Sequence, residues 1–196
     1  MSRSCRWAIA LIFGAVLGLS AVAGSQAAGF DWQNRLDPEN VLILELKTGR
    51  VVIWLRPDKA PNTVARIKEL VREEFYDGLV FHRVIDGFMA QTGDPTGTGA
   101  GGSGHYLKAE FNSMRHMRGV VSMARADDED SADSQFFIVL APSFSLDGKY
   151  TAFGRVVDGM DNVDKIRKGD PDRDGAVTNP DRIVTLRVWA DIKDIE

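Results

Sequence analysis

The spacing of hydrophobic positions changes several times along the chain, and each change marks an element. In VLILELKTGRVVIWLRP, residues 41–57, two runs rich in Val, Ile and Leu flank Thr48-Gly49. This predicts a β-hairpin whose second strand ends at Pro57. In residues 60–78, Val64, Ile67, Val71 and Phe75 recur at helical spacing, with Arg66, Lys68, Glu69, Arg72 and Glu73 on other faces. Pro61-Asn62 opens that helix and Asp77-Gly78 stops it. Short apolar runs then predict strands at LVFHRVI (79–85), GFMAQTG (87–93), GVVSMARA (119–126) and SQFFIVLAP (134–142). Another lies in TAFGRVV (151–157), and the last is RIVTLRVWA (182–190). Between the last two, Met160, Val163 and Ile166 form the stripe of a short second helix. About eight strands and two helices in so short a chain suggest a closed eight-stranded antiparallel barrel. Closure removes the sheet edges, and the two α-helices cap the open ends.

Strand periodicity also places polar residues. It puts Phe81, Arg83 and Ile85 on one side of their strand, and His82 and Val84 on the other. Met89 and Gln91 share a face, as do Gln135, Phe137 and Val139, with Phe136, Ile138 and Leu140 opposite. If one face fills the barrel, the other forms an outer wall on which Arg83, Met89, Gln91 and Phe137 stand together. The plainer alternative is that Arg83 snorkels from a strand edge and pairs with an aspartate. Spacing alone leaves both open.

The N-terminus alters the domain picture. Arg3 and Arg6 precede the apolar run WAIALIFGAVLGLSAVAG, and Ser25 and Ala27 provide a small-x-small site. Residues 1–27 read as a cleaved secretory signal peptide, 28–39 as a polar lead-in and 40–196 as one globular domain. Cleavage after Ala23 and an uncleaved inner-membrane anchor are the alternatives. Cys5, the only cysteine, lies in the leader, so the mature chain holds no disulfide, and an exported chain without cysteine fits a bacterial periplasm. Loss of Arg3 and Arg6 takes the net charge from −4 to −6, which disfavours nucleic acid as a partner. No other run is apolar enough to span a bilayer.

Three candidate chemistries are weak. GTGAGGSG, residues 97–104, lacks the Lys-Ser/Thr pair and the following helix of a phosphate loop. His82, His105 and His116 coexist with many serines, but no serine sits in a G-x-S-x-G elbow. DPDRDGAVTNPD matches half of a calcium loop, with Asp170, Asp172, Asp174 and Asp181 as ligands; turn chemistry explains the same residues, and no metal is expected.

FHRVIDGFMAQTGDP, GVVSMARA, DSQFFIVLA and LDGKYTAFGRVVDGM follow one another as in the cyclophilins, which the chain resembles from Val41 to Ala190. The leader looks like that of the bacterial periplasmic branch. The resemblance implies a cofactor-free prolyl isomerase acting on proline-containing segments of unfolded exported proteins, here expected to be a monomer. It implies Arg83 as the catalytic arginine. Phe88, Met89, Gln91, Ala124, Arg125, Gln135, Phe137, Leu146 and Tyr150 are implied as substrate contacts. Three positions depart from the family pattern: Ser145 stands for an aromatic, usually tryptophan, Tyr150 for histidine and Arg125 for asparagine. The tryptophan position contributes to cyclosporin binding in eukaryotic members, so weak cyclosporin binding is expected. A non-catalytic proline-peptide-binding domain and a holdase chaperone on the same fold are the rival readings.

Overall fold

The computed structural model describes residues 30–192; the expected leader lies outside the described residues. The first two strands, β1 (Val41–Leu46) and β2 (Gly49–Leu55), form the expected hairpin, with Leu46 opposite Gly49. Helix α1 (Pro61–Arg72) starts where expected but stops at Arg72. Its cap residue, Ala60, has no side-chain oxygen to offer. Instead Glu110, from the long loop before β5, accepts from Asn62 N (3.0 Å) and Thr63 N (2.8 Å). A remote carboxylate thus satisfies two N–H groups that the helix cannot.

The remaining strands are β3 (Arg83–Ile85), β4 (Met89–Thr92), β5 (Val120–Met123), β6 (Phe136–Val139), β7 (Ala152–Asp158) and β8 (Ile183–Val188), with α2 (Met160–Asp164) between the last two. They form one antiparallel sheet in the order β3-β4-β6-β5-β7-β2-β1-β8. Alternation along β6 separates two apolar layers. Phe136 and Ile138, with Leu140 just beyond the strand, enter the main core beside Leu44, Ile53, Leu70 and Phe81. Phe137 and Val139 face the other way, into a second cluster with Met89, Val120 and Ala152. A third cluster joins Trp32 to Val41, Ile43 and Val52, so residues of the polar lead-in also pack against the sheet.

The expected closure of the barrel is not observed. The sheet is an open, strongly curled half-barrel, because β3 and β8 do not pair with each other. β3 has only three residues, and its outer edge is already occupied. The segment between α2 and β8 docks there: Val84 N donates to Gly175 O (2.8 Å) and Gly169 N donates to Val84 O (2.8 Å). Val80 and Arg182, which precede the two end strands, form a single bridge.

Candidate active site

β3 and β4 set the first wall of the site. Their register places Arg83 directly opposite Gln91, and Met89 opposite Ile85. β4 pairs in turn with β6, where Gln91 faces Phe137. Neighbouring residues on one face of adjacent strands are in side-chain contact, so Arg83, Gln91 and Phe137 form a row across the outer layer. Met89 and Phe137 are buried, and Phe88, Leu146 and Tyr150 pack partly buried around them. The result is a cleft of about 540 Å³ lined by Arg83, Phe88, Met89, Gln91, Ala124, Arg125, Phe137, Leu146 and Tyr150. Gln135 lies in an adjoining cleft of about 290 Å³. The two share Gln91, Gly99, Ala124 and Arg125, making one continuous groove with an apolar pocket at one end.

A polar chain runs along its floor. Arg83 Nη1 donates to Gln91 Oε1 (3.2 Å), Gln91 Nε2 donates to Gln135 Oε1 (2.9 Å), and Gln135 Nε2 donates to Gly101 O (2.8 Å) and Gly99 O (3.0 Å). On its other side Arg83 meets Asp174: Nε donates to Oδ2 (3.1 Å) and to the main-chain O (3.0 Å), and Nη2 donates to Oδ1 (2.9 Å). Both sequence readings of Arg83 therefore hold in part: it stands in the groove and pairs with an aspartate. The Arg83 guanidinium holds the Asp174 carboxyl below the usual aspartate range, first through these hydrogen bonds and then through charge.

Arg125 spans the far wall. Its guanidinium lies over the Tyr150 ring, and Tyr150 meets Phe137 edge-on at 5.9 Å between centroids. Beneath Phe137 the His116 ring stacks at 6.3 Å and 23°. His116 links Asp147 Oδ1 (3.0 Å at Nδ1) to Ser122 Oγ (3.1 Å at Nε2). Ser122, His116 and Asp147 thus have the connectivity of a hydrolase triad. Ser122 is fully buried, however, so its oxygen cannot reach a substrate. The trio braces Phe137 from below. His116 holds the Asp147 carboxyl below its ordinary range, chiefly through its backbone N–H.

Asp170, Asp172, Asp174 and Asp181 do not converge. Asp170 accepts from Asp172 N, Asp174 is on Arg83, and Asp181 accepts from Arg167 N. No group of three or more possible metal ligands occurs among the described residues. Sequence reasoning missed six residues of this lining, His82, Thr98, Gly99, Arg173, Asp174 and Ala176, and two of them bear on the chemistry. One is Asp174 in its role at Arg83; the DPDRDG motif drew attention to it, but for a different chemistry. The other is His82, which strand alternation assigned to the face opposite Arg83. His82 lines the cleft, while Phe81, expected beside Arg83, is buried in the core. Alternation fails there because the strand begins only at Arg83. Both His82 ring nitrogens lack a partner among the described residues. Burial pushes the His82 imidazole pKa down, so the ring is neutral at pH 7.

The family model described as cyclophilin type peptidyl-prolyl cis-trans isomerase/CLD matches residues 41–188, which hold every wall of the groove. The chain belongs to the cyclophilins. A Brucella suis protein named "Probable peptidyl-prolyl cis-trans isomerase" is 47% identical over 200 residues, covering 96% of this chain and 98% of that protein. Peptidyl-prolyl cis-trans isomerase B of Bacillus subtilis is 48% identical over 123 residues, covering 62% and 85%. Among solved structures, a cyclophilin of Hirschia baltica superposes with a TM-score of 0.72 at 30% identity, over 81% of this chain and 77% of its own. A Cryptosporidium parvum cyclophilin solved in the presence of the dipeptide Ala-Pro gives 0.69 at 27% identity, over 76% and 98%. As a cyclophilin, this chain is a peptidyl-prolyl isomerase and its substrates are X-Pro bonds in polypeptides. Among the described residues, no helix is long and apolar enough to cross a membrane.

Proposed function

We propose that Arg83 is the catalytic group of this cyclophilin and that the groove seats a proline-containing chain across it. Rotation about an X-Pro bond is slow because amide resonance must be broken, a barrier of about 20 kcal/mol. In the twisted state the prolyl nitrogen loses conjugation and becomes basic. A guanidinium beside it interacts better with that state than with the planar amide, and only such a difference lowers the barrier. The carrying observation is that Asp174 and Gln91 engage three of the five N–H groups of Arg83 at the mouth of the apolar pocket. Among the described residues, the other two have no partner and are left for the substrate. Phe88, Met89, Phe137, Leu146 and Tyr150 hold the proline ring and exclude water. Gln91, Gln135 and the backbone near Ala124 and Arg125 hold the flanking chain, so that one side of the bond rotates against a fixed other side.

The test is a protease-coupled proline-peptide assay on wild type and Arg83→Ala. Arg83→Ala folds normally and loses most activity; wild-type activity in that variant would overturn the assignment. An aggregation assay on a proline-free client, run beside it, separates the isomerase from a holdase.

The substrates in the cell are taken to be exported proteins, and the working compartment the periplasm. This rests on the basic end, apolar run and small-residue site of residues 1–27. Cell fractionation with N-terminal sequencing of the mature chain tests it; an unprocessed cytosolic protein would refute it.

A further inference from the structure

The contact between Asp174 and Arg83 belongs to a construction that occupies the whole segment between α2 and β8. Residues 169–177 are stitched to β3 and the residue before it at three points: Gly169 N to Val84 O (2.8 Å), Val84 N to Gly175 O (2.8 Å) and Val177 N to His82 O (3.0 Å). The segment is also tied to itself. Gly175 N donates to Asp170 O (2.9 Å), Asp170 N donates to Ala176 O (3.0 Å), and the Asp170 carboxylate accepts from Asp172 N (3.0 Å). Its two ends meet so closely that a Cβ on Gly169 would stand 1.8 Å from Gly175 O. A Cβ on Gly175, at φ +76, would stand 2.5 Å from Ile85 Cγ1. Asp174 sits at the tip in the left-handed region, at φ 51, a conformation that aspartate tolerates better than most residues.

This tip delivers two acceptors, carboxylate and carbonyl, to one edge of the Arg83 guanidinium. Gln91 holds another edge. Stability does not explain the arrangement. The Asp174 side chain is 78% exposed and that of Arg83 31%, and ion pairs this open add little to folding. What a two-point clamp does is fix a plane. An unclamped arginine at a cleft mouth samples many rotamers, whereas catalysis of this kind depends on a guanidinium already aimed. The opposing charge is a smaller matter, since an exposed carboxylate is screened by water.

We propose that Asp174 is a positioning residue for the isomerase reaction, setting the orientation of the Arg83 guanidinium at the proline pocket. This rests on the assignment of Arg83 as the catalytic group. The experiment measures kcat and KM separately on a cis-enriched proline peptide for wild type, Asp174→Ala, Asp174→Asn, Arg83→Ala and the double variant Arg83→Ala/Asp174→Ala. Thermal melting is recorded for each. Asp174→Ala lowers kcat about tenfold with KM and melting unchanged. Asp174→Asn keeps Oδ1 and the main-chain carbonyl and loses less than Asp174→Ala. Adding Asp174→Ala to Arg83→Ala has no further effect, because there is nothing left to aim. Wild-type kcat in Asp174→Ala overturns the proposal. So does an equal fractional loss from Asp174→Ala with and without Arg83. Full activity in Arg83→Ala would instead sink the assignment of Arg83 itself, so the two failures are distinguishable.

Discussion

The guanidinium carbon of Arg125 lies 4.9 Å from the centre of the Tyr150 ring. These are two of the three positions at which the chain departs from the family pattern, and they are in contact with each other. Arg125 is also anchored by Nε to Lys149 O (3.0 Å) and by Nη1 to Ala126 O (2.8 Å) and Asp127 O (2.9 Å). Tyr150 passes the contact on to Phe137. Removing the guanidinium frees the ring that walls the proline pocket. Arg125→Ala raises KM severalfold, in line with ~0.5–1 kcal/mol for such a contact, and leaves kcat nearly intact. Steady-state kinetics on a proline peptide check this; an unchanged KM removes Tyr150 positioning from the account.

Ser145, the third departure, is exposed beside Leu146 and does not line the cleft. It offers no flat apolar surface to a large macrocycle. Cyclosporin therefore inhibits the wild type weakly, and Ser145→Trp inhibits more readily with kcat/KM nearly unchanged. Inhibitor titration in the peptide assay measures both. Strong inhibition of the wild type contradicts the argument.

Asp94 is 1% exposed and anchors the glycine-rich loop at the rim of the groove. Burial alone would raise its pKa. Hydrogen bonds from the Thr96 N–H and hydroxyl, and from the Gly101 and Gly99 N–H groups, outweigh burial and lower it to about 2. The folded value lies below the unfolded one, so the stabilisation is complete above about pH 4 and is lost as pH falls towards 2. Its size is about 2 kcal/mol. Asp94→Asn shows that loss already at pH 7 and a flatter acid limb. Urea melts from pH 7 to pH 3 give the comparison; parallel pH curves for the two proteins refute it.

Trp32 meets Trp189 edge-on, with centroids 4.9 Å apart, over the outer faces of β1 and β2. Truncating a buried aromatic of this size removes about 3 kcal/mol. Trp32→Ala lowers the denaturation midpoint accordingly. Since this cluster does not touch the groove, kcat/KM per folded molecule stays at the wild-type value. Denaturant melts and kinetics on the same sample test both halves.

Much of the site was readable because period two operates inside true strands. Alternation along β3, β4 and β6 offers Arg83, Met89, Gln91 and Phe137 one common face, while the Arg83–Gln91 and Gln91–Phe137 pairings are set by the strand register, which alternation does not encode. The same rule misplaced Phe81 and His82, because the apolar run continues upstream of the strand and composition does not mark where pairing begins. Helix α1 was read too long because Phe75 keeps the helical spacing; it packs on the core after the helix has ended. Closure of the barrel failed for a different reason. Strand count and edge protection argue for it, but which partner takes the β3 edge depends on a loop whose Asp and Gly residues read as an ordinary turn or a calcium site. Asp174 was hidden for the same reason. Its partner is 91 residues away, and no local pattern links them.

The docked segment 169–177 has a second consequence. A foldase works among unfolded chains, and a bare strand edge would template their aggregation. On the β3 side those nine residues already occupy the main-chain groups of Val84. On the β8 side, Ile183 N donates to Leu79 O, and Leu186 N donates to the Asp77 carboxylate. An open sheet thus keeps its two margins chaperoned by its own loops, and a passing client meets the enzyme through side chains in the groove rather than by joining the sheet.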